Sequence, residues 1–199
     1  MNKAVLESES KERFRIARDL HDSVGQMLSV IKMHLSNSSE NNALGEIVDK
    51  TISEVRSISH NLIPEALNFG LKRALEELID KTNLDGKVEV SLIFEIEKSN
   101  LRLSQEKELM LFRIIQELIG NTLKHANATV IQLNFQLNHD QLEVLIVENG
   151  IGFDLNKIDE SKGLGWKNTY ARLALISGVI TISSEKNKGS KIKIIIPNV

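Results

Sequence analysis

The sequence predicts two parts of different class: an all-α antiparallel helical hairpin over residues 1–64, expected to pair with a second copy into a dimeric four-helix bundle, and an α+β sandwich over residues 65–199. Three observations predict this. Before Pro64 the apolar residues recur at heptad spacing and no run alternates as a strand does. After Pro64, strand-like and helix-like runs interleave and carry nearly all of the 11 glycines. Aromatic residues make up only 4% of the chain and prolines number two, so the core is aliphatic and the helices are little interrupted.

Composition narrows the function classes. A net charge of −2, with 26% charged and 41% apolar residues, fits a soluble globular protein and argues against direct nucleic-acid binding. The absence of cysteine excludes disulfide scaffolds, thiolate zinc sites and cysteine nucleophiles. No apolar run approaches the roughly 20 residues of a membrane helix, and MNKAVLESESKERFR lacks the apolar centre of a signal peptide. A cytoplasmic setting with no membrane segment is expected.

The first helix is expected from about Ser8 to Leu35, with Ala17, Val24 and Ile31 at sevens and Leu20 and Met27 offset by three. The polar stretch from Ser36 to Asn42 breaks it. A second seam follows in Val48, Val55 and Leu62, with Leu44 and Ile58 in phase, and ends at Pro64 because the residue before proline is pushed out of the helical region. One such hairpin has little core of its own, hence the expected homodimer. Then come a helix from Gly70 to Ile79, a strand from Val88 to Phe94, and a long helix capped by Ser104 and reaching Ala126. Strands at Val130–Leu137 and Leu142–Val147, a loop from Glu148 to Gly163, a helix from Leu164 to Ile176, and strands at Val179–Ser183 and Ile192–Ile196 complete the chain.

Four groups of residues carry chemical interest. On the first helix, Arg18-Asp19-Leu20-His21-Asp22-Ser23-Val24-Gly25-Gln26 puts Arg18, Asp22 and Gln26 in one i, i+4 row and Ala17, His21 and Gly25 in the next. Gly25 costs about 1 kcal/mol relative to alanine there, which suggests close access to the surface around His21. Alone, the group reads first as a solvated face; chemically, a neutral imidazole beside a carboxylate is a nucleophile or proton carrier. On the long helix, Glu117, Asn121, Lys124 and His125 lie near one face, a donor set suited to a hard cation with bound phosphates or simply to solvent. Val147-Glu148-Asn149-Gly150-Ile151-Gly152-Phe153 follows a strand, and Lys162-Gly163-Leu164-Gly165-Trp166 opens a helix. With the turn Lys188-Gly189-Ser190-Lys191, these are either tight turns or places where backbone approaches a phosphate-bearing ligand.

Taken in order, Arg-Asp-Leu-His-Asp on a seamed helix, an E-x-x-x-N-x-x-x-H helix, an Asn-Gly-x-Gly turn, a Gly-x-Gly helix start and a Gly-Ser turn resemble the sensor histidine kinases. The closest likeness is to the class paired with regulators that carry helix-turn-helix outputs, and it runs from Glu12 to Pro197. The resemblance implies a hairpin for dimerisation and phosphotransfer followed by an ATP-binding domain of the gyrase and chaperone type, using ATP and Mg2+ and acting on a response regulator receiver domain. It implies that His21 is the phosphoacceptor, Asp22 its acid-base partner, and Gln26 the residue that positions water for dephosphorylating the regulator. Asn121 would hold magnesium, with Glu117, Lys124 and His125 beside the phosphates and Glu117 among the catalytic residues. Gly150 and Gly152 would form the adenine-side turn, Gly163 and Gly165 the hinge of the ATP lid, and Gly189 and Ser190 the last nucleotide-facing turn. One residue departs from the pattern: where the family usually carries an aspartate that accepts from the adenine amino group, this chain has Glu148, one methylene longer. Trp166 likewise replaces a smaller aliphatic residue. The alternatives are a non-catalytic dimeric scaffold with weakened ATP binding and an ATP-driven clamp, the latter giving His21 no role. The start so close to His21 fits either a kinase core cut from a longer membrane-bound sensor or a small cytosolic kinase.

Overall fold

Backbone contacts divide the chain into two units, Met1–Glu65 and Ala66–Val199. The computed structural model describes residues 8, 12, 15–16, 19–36, 42–62, 64–96, 101–153, 164–197 and 199.

In the first unit the described residues from Ser8 to Asp19 are helical, Leu20–Gly25 form a π-helical turn, and α1 (Gln26–Ser36) continues from it. A π turn bonds i to i+5 instead of i+4, so rows drawn on a regular helix do not run through it. Asp22 lies inside this turn and Gln26 follows it, which breaks the single i, i+4 row that the sequence suggests. Helix α2 (Asn42–Leu62) packs back along α1 and the π turn and stops two residues before Pro64. Lys32 and Asp49 join the two helices at 2.6 Å.

The two predicted seams serve two surfaces. Val48, only 8% exposed, and Ile52 are buried within this one chain, and Val24 and Val55 are half-buried. Ile31 is 45% exposed and lies with Met27, Val30, Leu44 and Ile47 on apolar surface that the chain itself leaves uncovered. The side chains of Ala17 and Leu62 lie outside the described residues.

A 3-10 turn, Glu65–Phe69, which the sequence did not announce, leads into the second unit and buries Ala66 and Leu67. Gly70 then takes φ 103°, a left-handed value that favours glycine, and launches α3 (Leu71–Asn83), whose stripe Leu71, Ala74, Leu75 and Ile79 is buried. Asn83 ends α3 and holds strand β1 (Glu89–Phe94) by both backbone groups of Val90, donating through Nδ2 at 3.0 Å and accepting through Oδ1 at 2.8 Å. Helix α4 (Gln105–His125) starts at Ser104, whose Oγ accepts from the Lys107 N–H at 3.3 Å. From Leu109 to Ile119 it is buried nearly all round, and it becomes polar only toward its C-terminus.

Strands β2 (Val130–Asn138), β3 (Gln141–Glu148), β4 (Val179–Ser184) and β5 (Ser190–Pro197) complete a five-stranded mixed sheet of order β1-β2-β3-β5-β4. Only the β1–β2 pair is parallel, its crossover being α4. One face of the sheet is the core: Phe135 opposes Val144 and then Ile194, and Leu133 opposes Ile146 and then Ile192, all buried. Helix α5 (Leu164–Leu175) lies between α4 and β4 and buries Thr169 and Leu173. No helix among the described residues is long and apolar enough to cross a membrane.

Candidate functional site

The core face of the sheet ends in a polar row. In register across the strands stand Val90, Ile131, Glu148, Ser190 and Ser184, so that a carboxylate and two hydroxyls occupy positions that are aliphatic one row further in. Glu148 is only 5% exposed. Its side chain folds back on its own turn, where Oε2 accepts from the Gly150 N–H. The other oxygen, Oε1, is buried with no hydrogen-bond partner among the described residues. The extra methylene of glutamate thus leaves one carboxylate oxygen anchored and the other uncommitted.

Three stretches of backbone converge around this carboxylate. Asn149 clamps the start of β2, its Oδ1 accepting from Thr129 N and Val130 N at 2.9 and 3.0 Å and its Nδ2 donating to Thr129 Oγ1 at 2.9 Å. Ile151 N donates to Ala126 O at the end of α4 at 2.8 Å, and Asn187 N in the β4–β5 turn donates to Ile151 O at 2.7 Å. Ser184 Oγ accepts from Phe153 N at 2.8 Å and donates to Gly189 O at 3.2 Å. The glycines follow from this crowding. A Cβ at Gly150 would overlap Ala126 O, at Gly152 Glu185 O, and at Gly189 Glu148 O. Gly152 and Gly189 also have φ of +61° and +80°. These three positions require glycine so that backbone can pack on backbone around Glu148.

A second group sits where the C-terminal half of α4 meets the first turn of α5. Glu117 and Asn121 are half-buried and one turn apart, and Gly165 faces both. Lys124 and His125 are exposed further along α4, toward the Ala126 carbonyl that receives Ile151 N–H. The two groups therefore adjoin at one end of the sheet, with Glu117, Asn121 and Gly165 on one side and Glu148, Gly150, Gly152, Gly189 and Ser190 on the other. Gly163 lies outside the described residues, as do the side chains of His21 and Asp22. The His21 backbone lies in the π turn and Gln26 is exposed. Among the described residues, a side chain at position 25 would meet only Leu20 O, at 3.7 Å.

Electrostatics on the first helix centre upstream of His21. Arg15 bonds Glu12 at 2.6 and 3.0 Å and Asp19 at 2.8 Å. The hydrogen bond from the guanidinium holds the Glu12 carboxyl below its ordinary range, and Glu12 in turn raises Arg15.

Sequence reasoning missed the clamp by Asn149, the double role of Ser184, and Thr169, which is wholly buried with its Oγ1 unpartnered among the described residues. The Asn-Gly pair carried a turn signal for the first. Ser184 carried none, because its role depends on how β4 and β5 register.

Comparison with known proteins supplies a family for each part. A family described as histidine kinase matches residues 12–67, and one described as histidine kinase-, DNA gyrase B-, and HSP90-like ATPase matches residues 106–199. The chain is 30% identical over 212 residues to the sensor histidine kinase LiaS of Bacillus subtilis, with 99% of this chain and 56% of that protein covered. It is 26% identical to the oxygen sensor histidine kinase NreB of Staphylococcus carnosus, with 99% and 59% covered. The chain thus spans somewhat over half the length of these two relatives. Among solved structures, the histidine kinase domain of a blue-light activated histidine kinase from Erythrobacter litoralis is similar in fold, with a TM-score of 0.56 at 17% identity over 89% of this chain and 96% of that one.

Proposed function

The chain belongs to the sensor histidine kinases, and on that premise we propose that it phosphorylates itself on His21 from ATP and passes the phosphoryl group to an aspartate of a response regulator. The observation that carries this reading is the unpartnered Glu148 Oε1. A buried carboxylate oxygen without a donor is costly, and the exocyclic amine of adenine is a donor of the right kind. Glu148 keeps its anchor on Gly150 while doing this, so the longer side chain suffices.

The phosphates then fall to the adjoining group. Asn121 and Glu117 present the oxygen donors a magnesium ion takes, and Lys124 and His125 offer donors beside them. No group of three or more His, Cys, Asp or Glu among the described residues could hold a metal, so a cation here would be held jointly with the phosphates. Bound magnesium would neutralise charge on the triphosphate. The protein's own part is to position and to stabilise charge, which is most of what phosphoryl transfer needs. An imidazole nitrogen of His21 forms a bond to the γ-phosphorus as the bond to the bridging oxygen breaks. ADP leaves with that electron pair, and the imidazole proton passes to a carboxylate, for which Asp22 is the neighbour in sequence. Transfer to the regulator forms the aspartyl O–P bond and breaks N–P, returning the proton to His21. Gln26 orients the water that later removes the phosphoryl group.

The hairpin places this chemistry in a homodimer. The uncovered apolar residues Met27, Val30, Ile31, Leu44 and Ile47 supply the surface for a second copy, while Val48 and Ile52 close the hairpin itself. Incubation with ATP labelled at the γ-phosphate tests the assignment. Label stable to alkali, lost in acid and absent from His21→Gln is the expected result; label that persists in that variant would refute it.

A further inference from the structure

We propose that Gly165 is a positioning residue for Glu117: its bare Cα is the seat of the Glu117 carboxylate, so a side chain there acts by turning Glu117 aside, not by meeting the nucleotide. The resemblance implies that Gly165 forms, with Gly163, the hinge of the ATP lid, a role that would call on backbone freedom. Its place argues otherwise. Gly165 lies in the first turn of α5 and is not among the glycines with positive φ, which are Gly70, Gly86, Gly152 and Gly189 among the described residues. Alanine would be the better helix former in such a backbone.

What a Cβ at Gly165 would meet is side chain. It would overlap Glu117 Oε1 and come within 3.2 Å of Glu117 Cδ and 3.7 Å of Asn121 Nδ2. At Gly150, Gly152 and Gly189 the nearest obstruction is instead backbone oxygen, which cannot yield. Gly165 also begins the stripe of α5 that continues through buried Thr169 and Leu173, one to two turns further on. The carboxylate therefore rests against the first turn of a helix, whose partial positive charge favours it. Because Glu117 Oε1 is the end of a flexible chain, a methyl at 165 displaces it without breaking the fold.

The inference rests on the reading of Glu117 as part of the phosphoryl-transfer site, but the contact itself does not. The test uses the full chain as Gly165→Ala, Glu117→Ala and the double variant. Thermal unfolding is followed without nucleotide, ATP affinity by calorimetry, and autophosphorylation at saturating ATP. Gly165→Ala is expected to lower the phosphorylation rate at saturating ATP at least about tenfold, as misplacement of a group that positions the reacting phosphates does, and to weaken ATP binding no more than Glu117→Ala does. The same change should raise Tm by about 2–4 °C more when Glu117 is alanine than when it is present, because only then is the helix gain free of the displaced carboxylate. Equal Tm shifts in the two backgrounds, or ATP affinity lost on Gly165→Ala even without Glu117, would overturn the proposal. If Gly165→Ala alone fails to fold, recovery in the double variant supports the seat and no recovery overturns it. Unequal Tm shifts in a protein that binds no ATP would keep the seat and sink the kinase reading.

Discussion

Glu148 and Thr169 are both buried with an oxygen that has no partner among the described residues, and they differ in what surrounds them. Glu148 ends a polar row beside a turn built from glycines, where a ligand can complete it. Its replacement by glutamine keeps the length but turns one acceptor into a donor, opposing either the Gly150 N–H or an incoming amine. Glu148→Gln is therefore expected to weaken ATP binding about tenfold, the scale of one charge-assisted hydrogen bond, and to shift preference toward GTP, whose ring presents a carbonyl there. Calorimetry with both nucleotides checks this, and an unchanged ATP-to-GTP ratio would count against adenine recognition by Glu148. Thr169 sits instead on the packed stripe of α5 that runs on to Leu173. A hydroxyl buried without a partner costs about 1–3 kcal/mol in proteins, and valine has nearly the same shape. Thr169→Val should raise stability by about 1 kcal/mol, read as a rise in Tm of about 2–4 °C. Residue 148 drew attention in the sequence by its place before Asn-Gly-x-Gly; residue 169 did not, because nothing in local sequence says which hydroxyl a fold will bury.

The hairpin shows what a heptad pattern does and does not specify. Spacing by sevens marks residues that share a stripe, and so it found the helices and their antiparallel return. It cannot separate the contacts a helix makes with its own hairpin partner from those it makes with a second chain. The structure shows which residues the chain itself covers: Val48 and Ile52 are buried, whereas Met27 and Ile47 are 55% and 60% exposed. Glutamate at both Met27 and Ile47 is accordingly expected to abolish the proposed dimer, and Val48→Glu to unfold the hairpin by burying a charge inside it. Light scattering and helical circular dichroism distinguish the outcomes, and a single-chain mass for the parent protein would refute the interface. The π turn at Leu20–Gly25 was equally invisible to spacing rules, since its residues suit a regular helix and only the bonding pattern differs.

At the scale of the whole chain, the first unit holds His21, the proposed acceptor, and the second holds its own sheet and core together with the residues proposed to bind nucleotide. His21→Gln should therefore abolish labelling yet leave the ATP dissociation constant within about twofold, measured by the same calorimetry; a large loss of affinity would show that the two activities are not separable. The sequence by itself determined the order of helices and strands in both units, and which polar and glycine residues interrupt its aliphatic pattern. Those features are local: periodicity, turn chemistry and proline act over a few residues. Only the tertiary structure decided that Gly150, Gly152 and Gly189 make room for backbone while Gly165 makes room for Glu117, and that Glu148 keeps one oxygen uncommitted. Those facts depend on residues far apart in the chain, Gly165 with Glu117 and Gly189 with Glu148, meeting through sheet register and helix packing. No window of sequence contains both partners of such a contact.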